Sequence, residues 1–523
     1  MKTILRQSWD NSWLLSVTAG LLLGLSYPPV PLPFLIFIAF LLIFRIVDLS
    51  DSAREAAYKV YPAFLIWNII TTYWLVMATV AGGVAAILAN AAVMTIPIML
   101  QYKVQRTKLS PWLIALFQTA FWLSYEYLHH LWDLAWPWLA VGNAWANMPQ
   151  LVQYISVTGY WGISFWVIFA TALCHQYLKK PKQSTRFVAI AVLLIFPLWS
   201  ILISALGKAT ESKETHEVVV VQPNFDSYES NGGFPSARQA NSHLLSLTDS
   251  VITDKTNLIV WPENAVQNQV LNIDGYRPAS DQAKNQLTNY VQKQQTTLIT
   301  GATFFEFYED EIPALPHADQ RGPYLAFNAA LGFYPNRQMQ AYRKHNLVPI
   351  VERIPFVHFL NAIDVFGWVD WNQIQGYGKG YLANQFSVNG TQTPALICYD
   401  SVFPNWILNY VRNGAGYLTI ITNDGWWGNT SGHSQHFAYA RLRAIEFDRW
   451  IVRSANNGIS GIIAPDGSVK VETPYWKTTA FNYKVPVLTS QTWYVRLGDW
   501  LPYLMIIISA IGIGIPYARF LDD

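Results

Sequence analysis

Three ionisable residues, far apart in the chain, are of types that could perform nucleophilic chemistry together: Glu263, Lys344 and Cys398. A thiol is mostly protonated at neutral pH, so it attacks a carbonyl only with a base within reach or a cation beside it. Glu263 would take the proton and Lys344 would stabilise the charge. The tetrahedral oxyanion of acyl transfer also needs donors, and the Lys344 ammonium with the backbone N–H of Tyr399, just after the thiol, could hold it. Taken singly, each residue has a plainer reading: a surface carboxylate, a solvated loop charge, a small core residue. Their placement gives them joint meaning.

All three sit where apolar runs end. Residues 217–485 alternate short β-branched runs (EVVVVQPN, NLIVWPEN, TTLITGATFF, PALICYD, YLTIITND) with polar helical stretches at 237–253, 279–294 and 433–449, the pattern of an α/β domain. At roughly 270 residues it is long enough for one substantial core. The strand NLIVW should end at Trp261 and present Glu263 at its tip; PALI should end at Cys398; Lys344 lies in the loop QAYRKHNLVP. Strand ends are where such domains commonly present function. Stretches 229–236 and 306–323 read as surface loops.

The elements outside this region point to lipid. The 523 residues are 52% hydrophobic and only 13% charged, with 23 Trp, well under the roughly 25% charge of soluble domains. Apolar runs near 10–27, 33–50, 61–80, 82–101, 111–130, 157–177, 187–206 and 498–517 have about the length of spanning helices. The expected domains are therefore a seven-helix transmembrane region at 1–206, a catalytic domain at 217–485 and a C-terminal transmembrane helix at 498–517. With a cytoplasmic N-terminus, every short basic cluster falls inside: Lys2 and Arg6; Arg45, Arg54 and Lys59; Lys103, Arg106 and Lys108; Lys179, Lys180, Lys182 and Arg186; Arg519. By the positive-inside rule, 217–485 then faces out of the cytoplasm. The Trp-rich LWDLAWPWLAVGNAW is too polar to span and is expected at the membrane interface. A net charge of +2 without a basic stripe sets nucleic acid aside. Two cysteines, Cys174 in an apolar run and Cys398, do not make a disulfide framework.

The motifs WPENA, RKHNLVPIVE, ICYDSVFP and NDGWWG resemble the Glu–Lys–Cys signatures of the nitrilase superfamily. Their order, between a helical bundle and one last helix, is similar to its membrane-integral branch, the apolipoprotein N-acyltransferases of bacteria. The resemblance implies a multi-pass α-helical membrane bundle of about eight helices plus an αββα sandwich in the inner membrane, with the catalytic domain on the periplasmic side. It implies a phospholipid acyl donor that acylates Cys398, and a diacylated apolipoprotein whose N-terminal amine accepts the chain. On matching positions Glu263 is the base, Lys344 the charge stabiliser and Cys398 the nucleophile, while Glu352 positions the lysine. Asp400 stands where the family often has Glu, and the loop 225–236 lacks a Trp that the family often carries there.

Trp426 and Trp427 are candidate walls for lipid, with simple core packing as the alternative. Asp424, His433 and His436 invite a metal reading, but no His-Glu-x-x-His helix or cysteine cluster accompanies them. No metal or organic cofactor is expected, since thiol, carboxylate and ammonium already supply nucleophile, base and charge. Arg441, Glu446 and Asn456 read as scaffold. A monomer is expected. Two rival readings share the same residues: a membrane-anchored amidase passing the acyl group to water, and a scaffold that binds without catalysis.

Overall fold

Long apolar runs without polar periodicity become helices that bury their surfaces on one another. Helices cover Ser12–Gly24, Leu35–Asp48, Ala53–Thr72, Val80–Val93, Thr95–Gln105, Pro111–Leu128, Trp161–Lys179, Gln183–Leu206 and Trp500–Ala518. The computed structural model describes residues 10–206, 214–266, 281–308, 311–320, 322–364 and 368–518; Lys2, Arg6 and Arg519 lie outside them. The contacts divide the chain into a helical unit (Met1–Lys208, Ser434–Glu446 and Thr492–Asp523) and a sheet unit (Ala209–His433 and Phe447–Gln491).

In the helical unit, the run expected at 61–80 is a helix eight residues earlier, Ala53–Thr72. Its first turns carry Arg54, Glu55 and Lys59, which hydropathy alone rejects. Yet Ser52 caps it by accepting from the Glu55 N–H at 3.1 Å, and Glu55 pairs with Lys59 at 2.6 Å. Among the described residues, two helices are long and apolar enough to cross a membrane, Val80–Gln105 and Gln183–Ala205; Ser12–Gly24 and Trp500–Gly514 are shorter apolar helices. The Trp-rich segment folds into 3-10 turns, Pro137–Leu139, Val141–Trp145 and Pro149–Leu151. Its Trp138 is buried and donates to Gln435 Oε1 at 2.7 Å.

In the sheet unit the β-branched runs form strands where expected: β1 (Thr215–Gln222), β2 (Thr256–Val260), β3 (Thr297–Phe307), β4 (His317–Asp319), β5 (Gly322–Phe333), β6 (Gln340–Arg343), β7 (Phe386–Val388), β8 (Thr391–Thr393), β9 (Ala395–Ile397), β10 (Leu418–Thr422), β11 (Ile451–Ala455), β12 (Gly461–Ile463), β13 (Val469–Glu472) and β14 (Thr479–Pro486). One mixed sheet runs β14-β1-β2-β3-β5-β4, with β6 on β5; a second runs β13-β12-β11-β10-β9, and β7 pairs with β8 alone in a two-stranded ladder. The central strands β1, β2 and β3 are parallel, as are β9, β10 and β11. The sheets meet face to face at β1 and β11, where Ser454 Oγ donates to the Val221 carbonyl at 2.8 Å. Helices Ala237–Asp249 and Asp281–Gln294 press Ala240, Leu244, Leu287 and Val291 onto the first sheet.

The stretch 306–323 is not all loop: β3 runs on to Phe307, β4 lies inside it and β5 starts at Gly322. The acidic residues there suggest solvent, but antiparallel pairing of Phe305, Glu306 and Phe307 with Ala326, Leu325 and Tyr324 carries the ladder outward. One face of an antiparallel pair can be wet.

Candidate active site

Backbone geometry sets each candidate residue. β2 ends at Val260, one residue short of expectation, yet the Trp261 N–H still bonds the Ile299 carbonyl at 2.9 Å, and the Gly301 N–H bonds the Pro262 carbonyl at 3.0 Å. The Trp261 indole is fully buried and donates to Thr248 Oγ1 at 3.0 Å. Glu263 therefore leaves the sheet along a fixed path. Gly301 makes that path possible, because a Cβ there would stand 2.5 Å from both the Glu263 Cα and the Asn264 nitrogen.

Lys344 follows β6 directly, and its N–H bonds the Asn328 carbonyl of β5 at 2.9 Å. It is not a solvated loop charge: it is 1% exposed. Its Nζ lies 2.8 Å from Glu352 Oε1 and 3.3 Å from Glu263 Oε1. Asn328 Nδ2 donates to the same two carboxylates, at 2.6 Å to Glu263 and 2.9 Å to Glu352. The backbone N–H of Asn423 donates to Glu263 Oε2 at 2.8 Å, and that of Val348 to Glu352 Oε2 at 2.7 Å. A buried lysine between two carboxylates, each also hydrogen-bonded, meets the condition for burying charge.

Cys398 sits at the turn where β9 stops and a 3-10 helix, Cys398–Val402, begins. Its φ is +47°, in the left-handed region that a side chain with a Cβ enters at a cost of about 1–3 kcal/mol. Such a sharp strand-to-helix turn lifts a side chain off the end of a sheet. Thr422, the last residue of the neighbouring β10, hydrogen-bonds the thiol. Burial pushes the Cys398 thiol well above the usual range; Glu263 pushes the same way and Lys344 opposes. Burial likewise raises the Glu263 carboxyl, against Lys344. Burial works against the Lys344 charge, but Glu352 and Glu263 more than offset it and hold the ammonium well above its usual range. The resting arrangement is thus a protonated thiol, a carboxylate strengthened as a base, and a permanent cation, which suits concerted deprotonation and attack.

Asp400 is wholly buried two residues beyond the thiol. Its Oδ1 accepts from the Asn346 N–H at 2.8 Å and from Asn346 Nδ2 at 3.0 Å, while Oδ2 accepts from the Tyr342 hydroxyl at 2.8 Å. Burial first, opposed by Lys344, pushes its carboxyl up to about 6. Tyr399 is buried too, its ring edge-on to Phe403.

The other candidates separate. Trp426 is 40% exposed and Trp427 half-buried, both in the 3-10 turn Asp424–Trp427. In the loop 225–236, Tyr228 packs edge-on against Trp426 at 5.5 Å and donates its hydroxyl to the Trp426 carbonyl at 2.9 Å, so an aromatic ring does occupy that loop. Asp424 is buried against Arg453 at 2.8 Å and accepts from Thr422 Oγ1 at 2.8 Å; His433 stacks on Tyr475 at 3.9 Å. Asn456 Nδ2 donates to Asn423 Oδ1 at 3.2 Å and so braces the turn that donates to Glu263. In the helical unit Arg441 donates to Asn147 at 3.2 Å, and Glu446 pairs with Arg443 at 2.6 Å.

Sequence reasoning missed Asn328, Asn346, Tyr342 and Asn423. Only Asn328 carries a local signal, a lone amide within the apolar run YLAFNAALGF, where a buried polar group needs a partner.

Residues 217–493 match the family model described as carbon-nitrogen hydrolase. The chain belongs to the carbon-nitrogen hydrolase family. Residues 19–173 match a second model, the apolipoprotein N-acyltransferase N-terminal domain. Among curated relatives, the apolipoprotein N-acyltransferase of Chlorobaculum tepidum is 29% identical, with 96% of each chain covered. That of Haemophilus ducreyi is 26% identical over 84% of each. A solved nitrilase-superfamily protein of Saccharomyces cerevisiae is 14% identical, with TM-score 0.39, covering 55% of this chain and 96% of its own. Both family models and the near full-length relatives set the chain with the apolipoprotein N-acyltransferases of that family.

Proposed function

We propose that this protein transfers an acyl chain from a membrane phospholipid, through a thioester on Cys398, to the N-terminal amine of diacylglyceryl-cysteine in apolipoproteins. Lipoprotein N-acylation is the activity named for relatives aligned over nearly the whole chain. The observation that carries the chemistry is the buried Lys344 ammonium shared between Glu263 and Glu352, on a site that also feels the Cys398 thiol.

In the first half-reaction Glu263 takes the Sγ proton while sulfur attacks the donor's ester carbonyl. The oxyanion forms against Lys344 and the Tyr399 N–H. Collapse breaks the ester C–O bond, and the leaving lysophospholipid oxygen takes the proton from Glu263, leaving a thioester. In the second, the acceptor amine attacks the thioester and gives a proton to Glu263. The C–S bond breaks, the amide forms, and the proton returns to sulfur. Glu352 and Asn328 hold the lysine and the base in register, and Asp400 ties the lysine loop to the thiol turn. Trp426 and Trp427 line the approach of substrate chains. No metal or cofactor enters these steps.

The domain reading is seven membrane helices within 1–206, an extracytoplasmic catalytic domain over 217–485, and one more span over 498–517. It is supported by helices at each apolar run and by the basic residues of the alternate connections. The protein is then a monomer of the bacterial inner membrane. A substrate with two or three acyl chains must be met at the bilayer, which favours transfer over hydrolysis of a soluble amide.

Purified protein incubated with labelled phospholipid, with and without a diacylated peptide, tests the reading. Label should move to the peptide amine; fatty acid released at the same rate without peptide would overturn it in favour of the amidase.

A further inference from the structure

Loop 225–236 supplies none of the groups in the transfer steps, yet it is tied to the turn that holds the base. Lys344 and Asn328 hold Glu263 Oε1, and the Asn423 N–H holds Oε2 at 2.8 Å. A general base works only when its carboxylate is set within reach of the proton it takes. Whatever fixes Asn423 therefore bears on the base.

Asn423 is buried and heads the 3-10 turn Asp424–Trp427. Its Oδ1 accepts from the Gly425 N–H at 3.2 Å, from Asn456 Nδ2 at 3.2 Å and from Ser227 Oγ at 2.8 Å. A backbone N–H can only donate, so the atom facing Gly425 is the amide oxygen, and the Ser227 hydroxyl is a donor to it. The Ser227 bond is the shortest of the three. Its loop is itself braced: the Phe225 N–H bonds Asn456 Oδ1 at 2.9 Å, and Asp226 Oδ1 accepts from the Tyr228 N–H at 2.9 Å. Gly425 leaves room for the approach, because a Cβ there would overlap Ser227 Oγ. Tyr228, the next residue, donates its hydroxyl to the Trp426 carbonyl at 2.9 Å, so the loop grips the same turn twice.

We propose that Ser227 is a positioning residue for the general base. Its hydroxyl locks the Asn423 side chain, and the Asn423 N–H in turn holds the Glu263 carboxylate in place. The catalytic consequence rests on the acyl-transfer reading; the positioning is measurable without any transfer.

Full-length protein in phosphatidylethanolamine vesicles, native and as Ser227→Ala and Ser227→Thr, provides the test. Ser227→Ala leaves Asn423 Oδ1 with the two longer bonds, and Ser227→Thr keeps a hydroxyl. In hydrogen exchange, the Asn423 amide should exchange about two- to tenfold faster in the Ala variant, the effect of one lost hydrogen bond, and near the native rate in the Thr variant. Acylation of Cys398 by labelled phospholipid, followed by intact mass, should slow by the same factor of about two to ten at unchanged KM, with recovery in the Thr variant. The Asn423 N–H favours the charged carboxylate, so loosening it raises the Glu263 carboxyl, and the low-pH limb of the acylation rate should move to higher pH. Lys344, Glu352, Cys398 and Tyr377 also face Glu263 and are the same in all three proteins. Native exchange of the Asn423 amide in the Ala variant would overturn the inference. So would a raised KM with an unmoved low-pH limb, which puts the hydroxyl on the substrate, or a Thr variant no better than the Ala variant. Absence of a Cys398 adduct in the native protein defeats the transfer reading alone, because hydrogen exchange still decides the positioning.

Discussion

Asp400 accepts two hydrogen bonds from Asn346, one from its backbone at 2.8 Å and one from its side chain at 3.0 Å. This joint connects the turn that carries Cys398 with the loop that carries Lys344, 54 residues apart in sequence. A position that the sequence offers as a one-methylene departure from the family is thus a structural tie between two catalytic candidates.

The tie has a pH signature. Burial raises the Asp400 carboxyl to about 6, above the ordinary value of an unfolded Asp, so the folded state holds the proton more tightly. Its contribution to stability is fully present below the unfolded value and is lost as pH rises from about 4 through about 6, then stays flat. Asp400→Asn lacks this slope. Its stability relative to the native protein should therefore improve by about 1 kcal/mol between pH 5 and pH 7. Thermal unfolding of both proteins at the two pH values measures it, and an unchanged or opposite difference contradicts the buried-carboxyl account.

Burial first, and then the charge of Glu263, the proposed base, pushes the Cys398 thiol upward. Glu263→Gln should have two opposite effects. Acyl transfer should fall by about 10² to 10⁴, the usual worth of a general base. The thiol, relieved of a neighbouring negative charge but still beside Lys344, should ionise at lower pH and react faster with iodoacetamide at pH 8. Alkylation rates followed by intact mass check this; a slower reaction would show that the carboxylate does not act on the thiol electrostatically.

Asn328 joins both carboxylates through one nitrogen. In Asn328→Ala each loses a donor while Lys344 remains. With a hydrogen bond to a charged group worth about 1.5–3 kcal/mol, acyl transfer should fall roughly 10- to 100-fold. A kinetic comparison with Asn328→Gln, which keeps the amide but displaces it, should show most of the loss in both variants if position matters. Full activity in Asn328→Gln would mean that the amide's placement is unimportant.

Gly301→Ala would put a methyl 2.5 Å from the Glu263 Cα, so the strand tip has to move. Overpacking of this kind costs about 1–3 kcal/mol. Activity should drop more than stability does, because the displaced group is the proposed base. Circular dichroism and the labelled-lipid assay together decide it; normal activity would show that the loop accommodates the methyl without moving the carboxylate.

Much of the sheet unit is legible in the sequence because β-branched runs such as EVVVVQPN, NLIV and YLTIITND coincide with strands buried on both faces. β5 is not, because Gly322, Pro323, Asn328 and Gly332 interrupt its pattern and its pairing with β3, β4 and β6 holds it extended. The helix Ala53–Thr72 starts ahead of its apolar run for a related reason: a local cap and ion pair keep charged residues helical where hydropathy marks a break.

For the site, residue type, strand-end position and the surrounding motifs mark Glu263, Lys344 and Cys398 as candidates, since few groups can supply base, cation and nucleophile. What surrounds them was decided by tertiary structure. The Lys344 charge is tolerable only because β5 brings Asn328 beside it, a backbone turn returns Glu352 to 2.8 Å, and Asp400 reaches across to Asn346. These contacts join residues separated by 8 to 54 positions. Local propensity and periodicity operate within a few residues, whereas burying a charge is settled by whichever distant polar groups the fold delivers to it.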